Sequence, residues 1–134
     1  MTRTHQPPLT VATPDPATVV LHVGGSLDRV IAARLLRVID ARLVLVRTGE
    51  SRTRRVLLDL TGVSEVSDGA LAVLRHPRHT CPRHGVAFAL VGVGHLAPSL
   101  SPRDRGEVAR LSCFPNLDVA LAALPADAPC TPVG

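Results

Sequence analysis

A serine and an aspartate stand side by side after an apolar stretch of the chain, in the motif Ser67-Asp68-Gly69. The pattern predicts the start of a helix, because Ser and Asp side chains accept hydrogen bonds from the first backbone N–H groups. A helix start also carries a partial positive charge, which favours an acidic side chain such as that of Asp68. Two interpretations stay open: an ordinary helix cap, or a loop that touches a partner.

The densest group of metal-ligand types lies in the segment 76–84, which holds three His and one Cys. Imidazole and thiolate are zinc ligands, so a metal- or nucleotide-responsive sensor is one alternative function. However, the ligand order matches no zinc motif, and neighbouring Arg side chains oppose a cation. We expect a solvated helix end instead, kinked or terminated near His76 by Pro77 and Pro82, without a metal or other cofactor.

Residues suited to catalysis on a small molecule are few. Asp28 is predicted to cap a helix. Asp59 follows an apolar run, where a turn or capping role is favoured over a buried acid with a raised pKa. The sequence lacks paired carboxylates, a Gly-rich phosphate loop and Gly-x-Ser-x-Gly, and Gly92-Val93-Gly94 lacks the third Gly of a dinucleotide fingerprint. The sequence therefore predicts a binding protein and not an enzyme.

Apolar patterning predicts alternating strands and helices that position these residues. Short β-branched or apolar runs predict strands, and apolar residues at helical spacing predict helices. The predicted strands are 19–23, 56–60 and 86–91, and the predicted helices are 29–46, one starting at 67–68, and 117–124. The segment 107–114 fits either an edge strand or a short helix. We expect an α/β fold in which a mixed sheet of about four strands packs against three or four helices.

Both ends of the chain are rich in proline, which predicts disordered tails at 1–17 and 125–134 around one domain at 18–124. The three cysteines have no paired spacing, which favours a reducing compartment. The first sixteen residues contain no apolar signal segment, and no apolar run reaches the length of a membrane span. The expected location is the cytoplasm.

The charge pattern does not favour nucleic acid. The fifteen basic residues are all Arg, the net charge is +4, and the only tight cluster is 52–55. The chain has two Phe and no Tyr or Trp, so it offers little surface for base stacking. Because no helix-turn-helix or zinc-finger pattern is present either, we expect no direct nucleic-acid partner.

Four stretches, in order and with plausible spacing, resemble STAS domains, and among them bacterial anti-sigma factor antagonists. They are a helix entry, a central strand, the start of a second helix and the strand that follows it: Gly25-Ser26-Leu27-Asp28, Val56 to Val63, Ser67 to Leu74, and Gly85 to Val91. The resemblance covers roughly residues 18–124. It implies a STAS-like fold and a regulatory protein-binding function, in which sequestering an anti-sigma factor frees a sigma factor.

The resemblance also implies a partner and a switch. The partner is an anti-sigma factor of the histidine-kinase-like ATPase class, which phosphorylates a Ser at the start of the second helix. Counting from Asp59, that Ser position holds Asp68, and the acidic position before it holds Ser67. Three interpretations remain: Asp68 partly mimics the phosphorylated state, Asp68 permits binding that phosphorylation cannot switch off, or Ser67 has become the acceptor.

The surface expected to bind the partner comprises Ser67, Asp68 and Gly69, and the residues Gly25, Asp28 and Arg29 are expected to border it. An alternative within the family is a STAS scaffold subunit of a stress-signalling or lipid-transport ABC complex. The oligomeric state does not follow from the sequence.

Overall fold

The computed structural model describes residues 8–124. Two 3₁₀ segments, Ala70–Leu74 and Gly94–Ser99, accompany five strands and four α-helices in this range. In chain order these are β1 (Leu9–Asp15), β2 (Thr18–Leu27), α1 (Arg29–Arg47), β3 (Arg55–Val66), α2 (Arg75–Arg83), β4 (Ala87–Val91), α3 (Pro102–Val108), β5 (Ser112–Phe114) and α4 (Leu117–Ala123). The mixed α/β sheet with helical cover is confirmed, with five strands instead of about four.

The five strands lie side by side in chain order. β1 runs antiparallel to β2, whereas β2, β3, β4 and β5 are mutually parallel. Parallel neighbours need a crossover between them, and α1, α2 and α3 lie in the three crossovers. The carboxyl ends of β2 and β3 therefore lie next to each other, and each is followed by a loop.

The sheet is covered on both faces, which explains the continuous apolar run at 56–58. Alternate residues of β3 point to opposite faces, so Val56 and Leu58 belong to one core and Leu57 to the other. The larger core packs α1, α2 and both 3₁₀ segments against the sheet. The smaller core packs Ala120 of α4 against the opposite face. Between residues 8 and 124 no helix is both long and apolar enough to cross a membrane.

The predicted start of α1 is confirmed. The Asp28 carboxylate accepts a hydrogen bond from the backbone N–H of Ile31 at 3.0 Å, as expected of an N-cap residue. Ile31, Leu35 and Ile39 are buried at helical spacing and attach the helix to the sheet. The opposite side of α1 faces solvent.

The predicted N-terminal tail is wrong for residues 9–15, because these residues form β1. A proline lacks the N–H that a central strand must donate, but Pro14 lies on an edge strand where the register with β2 shifts between Ala12 and Asp15. Leu9 packs against the larger core. The predicted C-terminal tail, 125–134, lies outside the described residues.

The expectation that proline ends the second helix near His76 is also wrong. Pro77 is the third residue of α2, in the first turn, where backbone N–H groups do not need an acceptor within the helix. Pro82 lies one residue before the last residue of α2. Pro77 therefore lies in the first turn, where proline is tolerated, whereas Pro82 lies inside the last turn and removes one backbone donor without ending the helix near His76.

Arg55, in the basic cluster 52–55, is a buried structural residue and not part of a solvated face. Its guanidinium donates hydrogen bonds to the backbone carbonyl oxygens of Leu121 and Leu124 and to the hydroxyl of Thr18. It also forms an ion pair with Asp15 at 3.3 Å. Arg55 thus connects β3 with the hairpin of β1 and β2 and with the carboxyl end of α4.

Candidate functional site

The parallel pairing of β2 and β3 brings the two predicted site segments together. Leu27 is the register partner of Val66. One residue further on, the backbone N–H of Ser67 donates to the carbonyl oxygen of Leu27 at 2.9 Å. The segments 25–29 and 67–69 therefore lie side by side at one end of the sheet. The sequence predicted both segments, and the structure places them next to each other.

Most of the residues in this pair of segments are accessible. Gly25, Arg29, Ser67 and Asp68 are exposed. Asp28 is half-buried, since its carboxylate caps α1. The exposed residues form a ridge of backbone and short side chains, with one Arg and one Asp as its charges. We call this surface, residues 25–29 and 67–69, the ridge.

The 67–69 segment differs in one respect from the sequence prediction. The helical structure begins at Ala70, as a 3₁₀ segment, and not at residues 67–68. Gly69 is its N-cap residue, with φ of +84°, a left-handed conformation that favours glycine. No side chain from the segment caps this start. The interpretation of Ser67 as an ordinary N-cap is therefore wrong, and its hydroxyl is not used for that purpose.

The cap is supplied from α3 instead. The Asp104 carboxylate accepts hydrogen bonds from the backbone N–H of Gly69 at 3.1 Å and from that of Leu71 at 3.4 Å. Only 1% of Asp104 is exposed. A buried carboxylate thus occupies the positive end of the 3₁₀ segment, where a capping side chain or an external anion would bind. This arrangement leaves Ser67 and Asp68 facing solvent.

A second carboxylate on α3, that of Glu107, also binds the helical segment that follows Gly69. Glu107 is 6% exposed, and its Oε2 lies 2.6 Å from the Nε of Arg75, the first residue of α2. Asp104 and Glu107 are three residues apart, so both project from the same side of α3. Together they hold the start of the 3₁₀ segment and the start of α2. The outer side of α3 contributes Arg103, whose guanidinium lies close to Gly69.

The sequence interpretation missed Asp104, Glu107 and Arg103. A local signal existed, since Ser101-Pro102-Arg103-Asp104 combines a cap residue, proline and an acid in the order of a helix start. The Ser101 hydroxyl indeed accepts the backbone N–H of Asp104 at 3.1 Å. That signal predicts a helix start. It does not predict that Asp104 accepts hydrogen bonds from Gly69 and Leu71, which lie 35 and 33 positions earlier in the chain.

The His and Cys side chains of the segment 76–84 do not converge. Cys81 is buried in the larger core, whereas the Nε2 of His76 pairs with Asp40 and the Nδ1 of His84 bonds to the carbonyl oxygen of Thr80. Within the described part of the chain, no three His, Cys, Asp or Glu side chains form a group that could hold a metal ion. The geometry gives no support to a metal-responsive sensor.

Asp59 lies within β3 and not in a turn or at a helix cap, and its pKa is not raised. Burial alone raises the pKa of this carboxyl. Hydrogen bonds from the hydroxyl and backbone N–H of Thr61 and from His22 outweigh that effect and hold the pKa of Asp59 below its ordinary value. The Nδ1 of His22 lies 2.8 Å from the Asp59 carboxylate.

The fold and the ridge together describe a mixed α/β domain in which the end of β2 and the start of α1 lie beside the exposed loop 67–69 at one end of the sheet. Residues 9–95, well over half of the chain, match the family model of the STAS domain. The chain therefore belongs to the STAS domain family. No curated protein sequence matches it.

Solved structures show the same fold. An anti-sigma factor antagonist from Mycobacterium paratuberculosis has a TM-score of 0.65 and 23% identity, over 87% of this chain and 92% of that one. The phosphorylated form of the Bacillus cell fate determinant SpoIIAA has a TM-score of 0.58 and 12% identity, over 87% and 99%. The murine anion transporter Slc26a9 has a TM-score of 0.53 and 17% identity, over 84% of this chain but only 18% of that one.

Proposed function

We propose that the protein is an anti-sigma factor antagonist. In this proposal the ridge binds an anti-sigma factor of the histidine-kinase-like ATPase class and thereby releases the sigma factor that the anti-sigma factor would otherwise hold. The observation that carries the proposal is the exposure of Ser67 and Asp68 next to residues 25–29, on a loop that the rest of the domain holds in place. The family membership and the antagonist-like structures support it.

For the switch, we propose that Asp68 permits binding that the kinase cannot turn off. A carboxylate carries one negative charge, less than the charge of roughly −1.5 to −2 on a phosphate, and it lacks a hydroxyl that could accept one. The structure is compatible with this interpretation, because Asp68 is exposed and the amides of Gly69 and Leu71 already donate to Asp104. A negative charge at position 68 therefore faces water and does not reorganise the loop.

The experiment combines binding and phosphate mapping. The full chain is mixed with purified candidate anti-sigma factor kinases and ATP, complex formation is followed by calorimetry, and modified residues are identified by mass spectrometry. We expect a complex without phosphate on the chain. Asp68→Ser is expected to create an acceptor, so that ATP dissociates the complex. Ser64→Ala, a substitution of an exposed Ser on β3, is the matched control and is expected to leave binding unchanged.

Other outcomes contradict specific parts of the proposal. Phosphate on Ser67 that is lost in Ser67→Ala would make Ser67 the acceptor. Failure to bind any candidate kinase would contradict the antagonist function itself. Stable association with a stress-signalling or lipid-transport assembly instead would favour the scaffold alternative.

A further inference from the structure

The solvent side of α1 carries an unusual combination of exposed valine and arginine. Val30, Ala33, Arg34 and Arg37 are all exposed and follow the spacing i, i+3, i+4 and i+7, so they form one stripe along the helix. Val30 is 64% exposed, and Val44 continues the stripe further along α1 at 44%. The four residues 30, 33, 34 and 37, together with Arg29, line a shallow depression of about 500 Å³. We call these five residues, 29, 30, 33, 34 and 37, the arginine stripe.

The charges of the stripe have no partner within the described chain. The ion pairs among residues 8–124 are His22–Asp59, Arg55–Asp15, Arg75–Glu107 and His76–Asp40, and none involves Arg29, Arg34 or Arg37. Arg29 is the first residue of α1, and the first turn contains no acidic residue. A cation there faces the positive end of the helix dipole, which is unfavourable in the free domain. The Asp28 carboxylate at the N-cap offsets part of this positive charge, but it forms no ion pair with Arg29, whose guanidinium is left to pair with an external acidic group.

The stripe also adjoins the ridge, because Arg29 belongs to both. From Ser67 the surface continues through the end of β2 to Arg29 and then along α1. Spacing of i, i+3, i+4 and i+7 is the pattern by which one helix packs against another, with apolar residues at the centre and charges at the sides. The chemistry of the stripe therefore fits a helix that carries apolar residues flanked by Asp or Glu.

We propose that the arginine stripe is a docking surface for an acidic amphipathic helix of the protein partner, which binds it at the same time as the ridge. The inference rests on the proposed function for the identity of that partner, the anti-sigma factor kinase. Charge complementarity of this kind acts mainly on the association rate and on specificity, and it weakens with added salt.

The test uses the full chain, and Arg34→Glu/Arg37→Glu reverses two charges of the stripe. Arg110→Glu, at an exposed position after α3, is the control for one reversed charge, and Arg52→Glu/Arg110→Glu, at two exposed positions outside the stripe, matches the change in net charge and should retain most of the affinity. We expect Arg34→Glu/Arg37→Glu, the double variant, to weaken kinase binding at least about 10-fold and to reduce its salt dependence, and Arg110→Glu to change the affinity less than about 2-fold.

A second probe distinguishes failure of this surface from failure of the proposed function. A synthetic acidic amphipathic helical peptide is titrated into ¹⁵N-labelled protein, and amide shifts at residues 29–37 are followed in the wild type and in the double variant. If the kinase binds but the double variant binds equally well, the stripe is not a docking surface, although the antagonist function stands. If no kinase binds, the antagonist function is wrong. In that case, peptide-induced shifts at residues 29–37 that are absent from the double variant still support the docking surface. Absence of those shifts, or stronger shifts with duplex DNA than with the peptide, overturns it.

Discussion

The carboxylate of Asp104 on α3 caps the helical start that follows Gly69, 35 residues earlier in the chain. Most helix starts are capped by a residue of their own segment. Here the local residues Ser67 and Asp68 are left exposed, because a buried side chain from another helix satisfies the same backbone donors. The position of α3 and the conformation of the candidate site loop are therefore coupled.

Replacement of Asp104 should loosen this loop. Asp104→Asn retains one acceptor oxygen and leaves one amide without a good partner, so we expect a loss of about 2 kcal/mol in the free energy of unfolding. Asp104→Ala removes the hydrogen bonds from both amides and a third from the Ser101 hydroxyl, and should lose about 3 kcal/mol. The measurement is urea unfolding together with hydrogen exchange at the amides of Gly69 and Leu71.

The Asp104 variants have two controls, the amide of Ala70 in the same protein and a separate variant, Asp118→Asn. The amide of Ala70 donates to the carbonyl oxygen of Ser67 and not to Asp104, so its exchange should accelerate less than that of its two neighbours. Asp118→Asn alters an exposed acid in the first turn of α4 and should cost less than about 1 kcal/mol. Equal exchange at all three amides would show that Asp104 does not determine the loop conformation.

Asp59 should contribute to a loss of stability in acid. Its pKa is lower in the folded chain than the ordinary value of 3.8, so its contribution is complete above that value and disappears as the pH falls through the folded pKa. We expect Asp59→Asn to flatten part of the decline in stability below about pH 4, measured by urea unfolding from pH 2.5 to 7. The pKa of Asp15 is also lowered, so Asp15 should contribute to the loss of stability in acid that remains in Asp59→Asn.

The hydroxyl of Thr61 provides the matched pair for this experiment. Thr61→Ser preserves a donor 2.6 Å from the Asp59 carboxylate, whereas Thr61→Val removes it. The pKa of Asp59 in the valine variant should lie closer to its ordinary value, so stability should decline less between pH 7 and pH 2.5 in that variant than in the serine variant. A steeper acid dependence in Asp59→Asn than in the wild type would contradict the lowered pKa.

Local signals predicted the elements that depend on near neighbours, and contacts between distant residues decided the rest. The N-cap of α1 and the apolar run of β3 were visible because caps and periodicity are properties of short segments. β1 was missed because the segment 1–17 around it contains four prolines, although only Pro14 lies in the strand, and pairing with β2 makes it a strand. The pairing of residues 25–29 with 67–69 follows from parallel β2 and β3, but the capping by Asp104 is a tertiary contact without a local pattern.

The two cysteines in the described range should differ in reactivity. Cys81 is fully buried, and burial raises the pKa of its thiol to about 12, so at pH 8 the thiolate fraction is on the order of one in ten thousand. Cys113 lies exposed on β5. Partial burial raises the pKa of Cys113 as well, but its sulfur is accessible.

Alkylation by iodoacetamide should therefore modify Cys113 in the folded protein and reach Cys81 only on unfolding. The experiment uses a Cys130→Ser background and peptide mass spectrometry, because residue 130 lies outside the described range. Adding urea above the unfolding midpoint is the control, and it should make the two cysteines react at similar rates. Early modification of Cys81 without urea would contradict its place in the core.

Gly92 should tolerate substitution least among three glycines that differ in their surroundings. At Gly92 φ is +70°, and a Cβ would overlap the Oγ1 of Thr61, so an alanine would suffer both an unfavourable backbone conformation and a steric clash. Gly49 has φ of +81° but open space around its Cβ position, and Gly94 has neither a positive φ nor a near neighbour. The set therefore separates backbone strain from steric overlap.

We expect alanine at Gly94 to change the free energy of unfolding by less than about 0.5 kcal/mol, alanine at Gly49 to cost about 1 kcal/mol, and alanine at Gly92 to cost about 3 kcal/mol. Urea unfolding of the three variants measures the order. Combining Gly92→Ala with Thr61→Ala should recover part of the loss, because it removes the clashing hydroxyl. The recovery should be incomplete, because the same hydroxyl donates a hydrogen bond to Asp59. Equal losses of stability in the Gly92 and Gly49 variants would mean that the chain relaxes around position 92. The end of β4 would then not be tightly packed against Thr61 of β3.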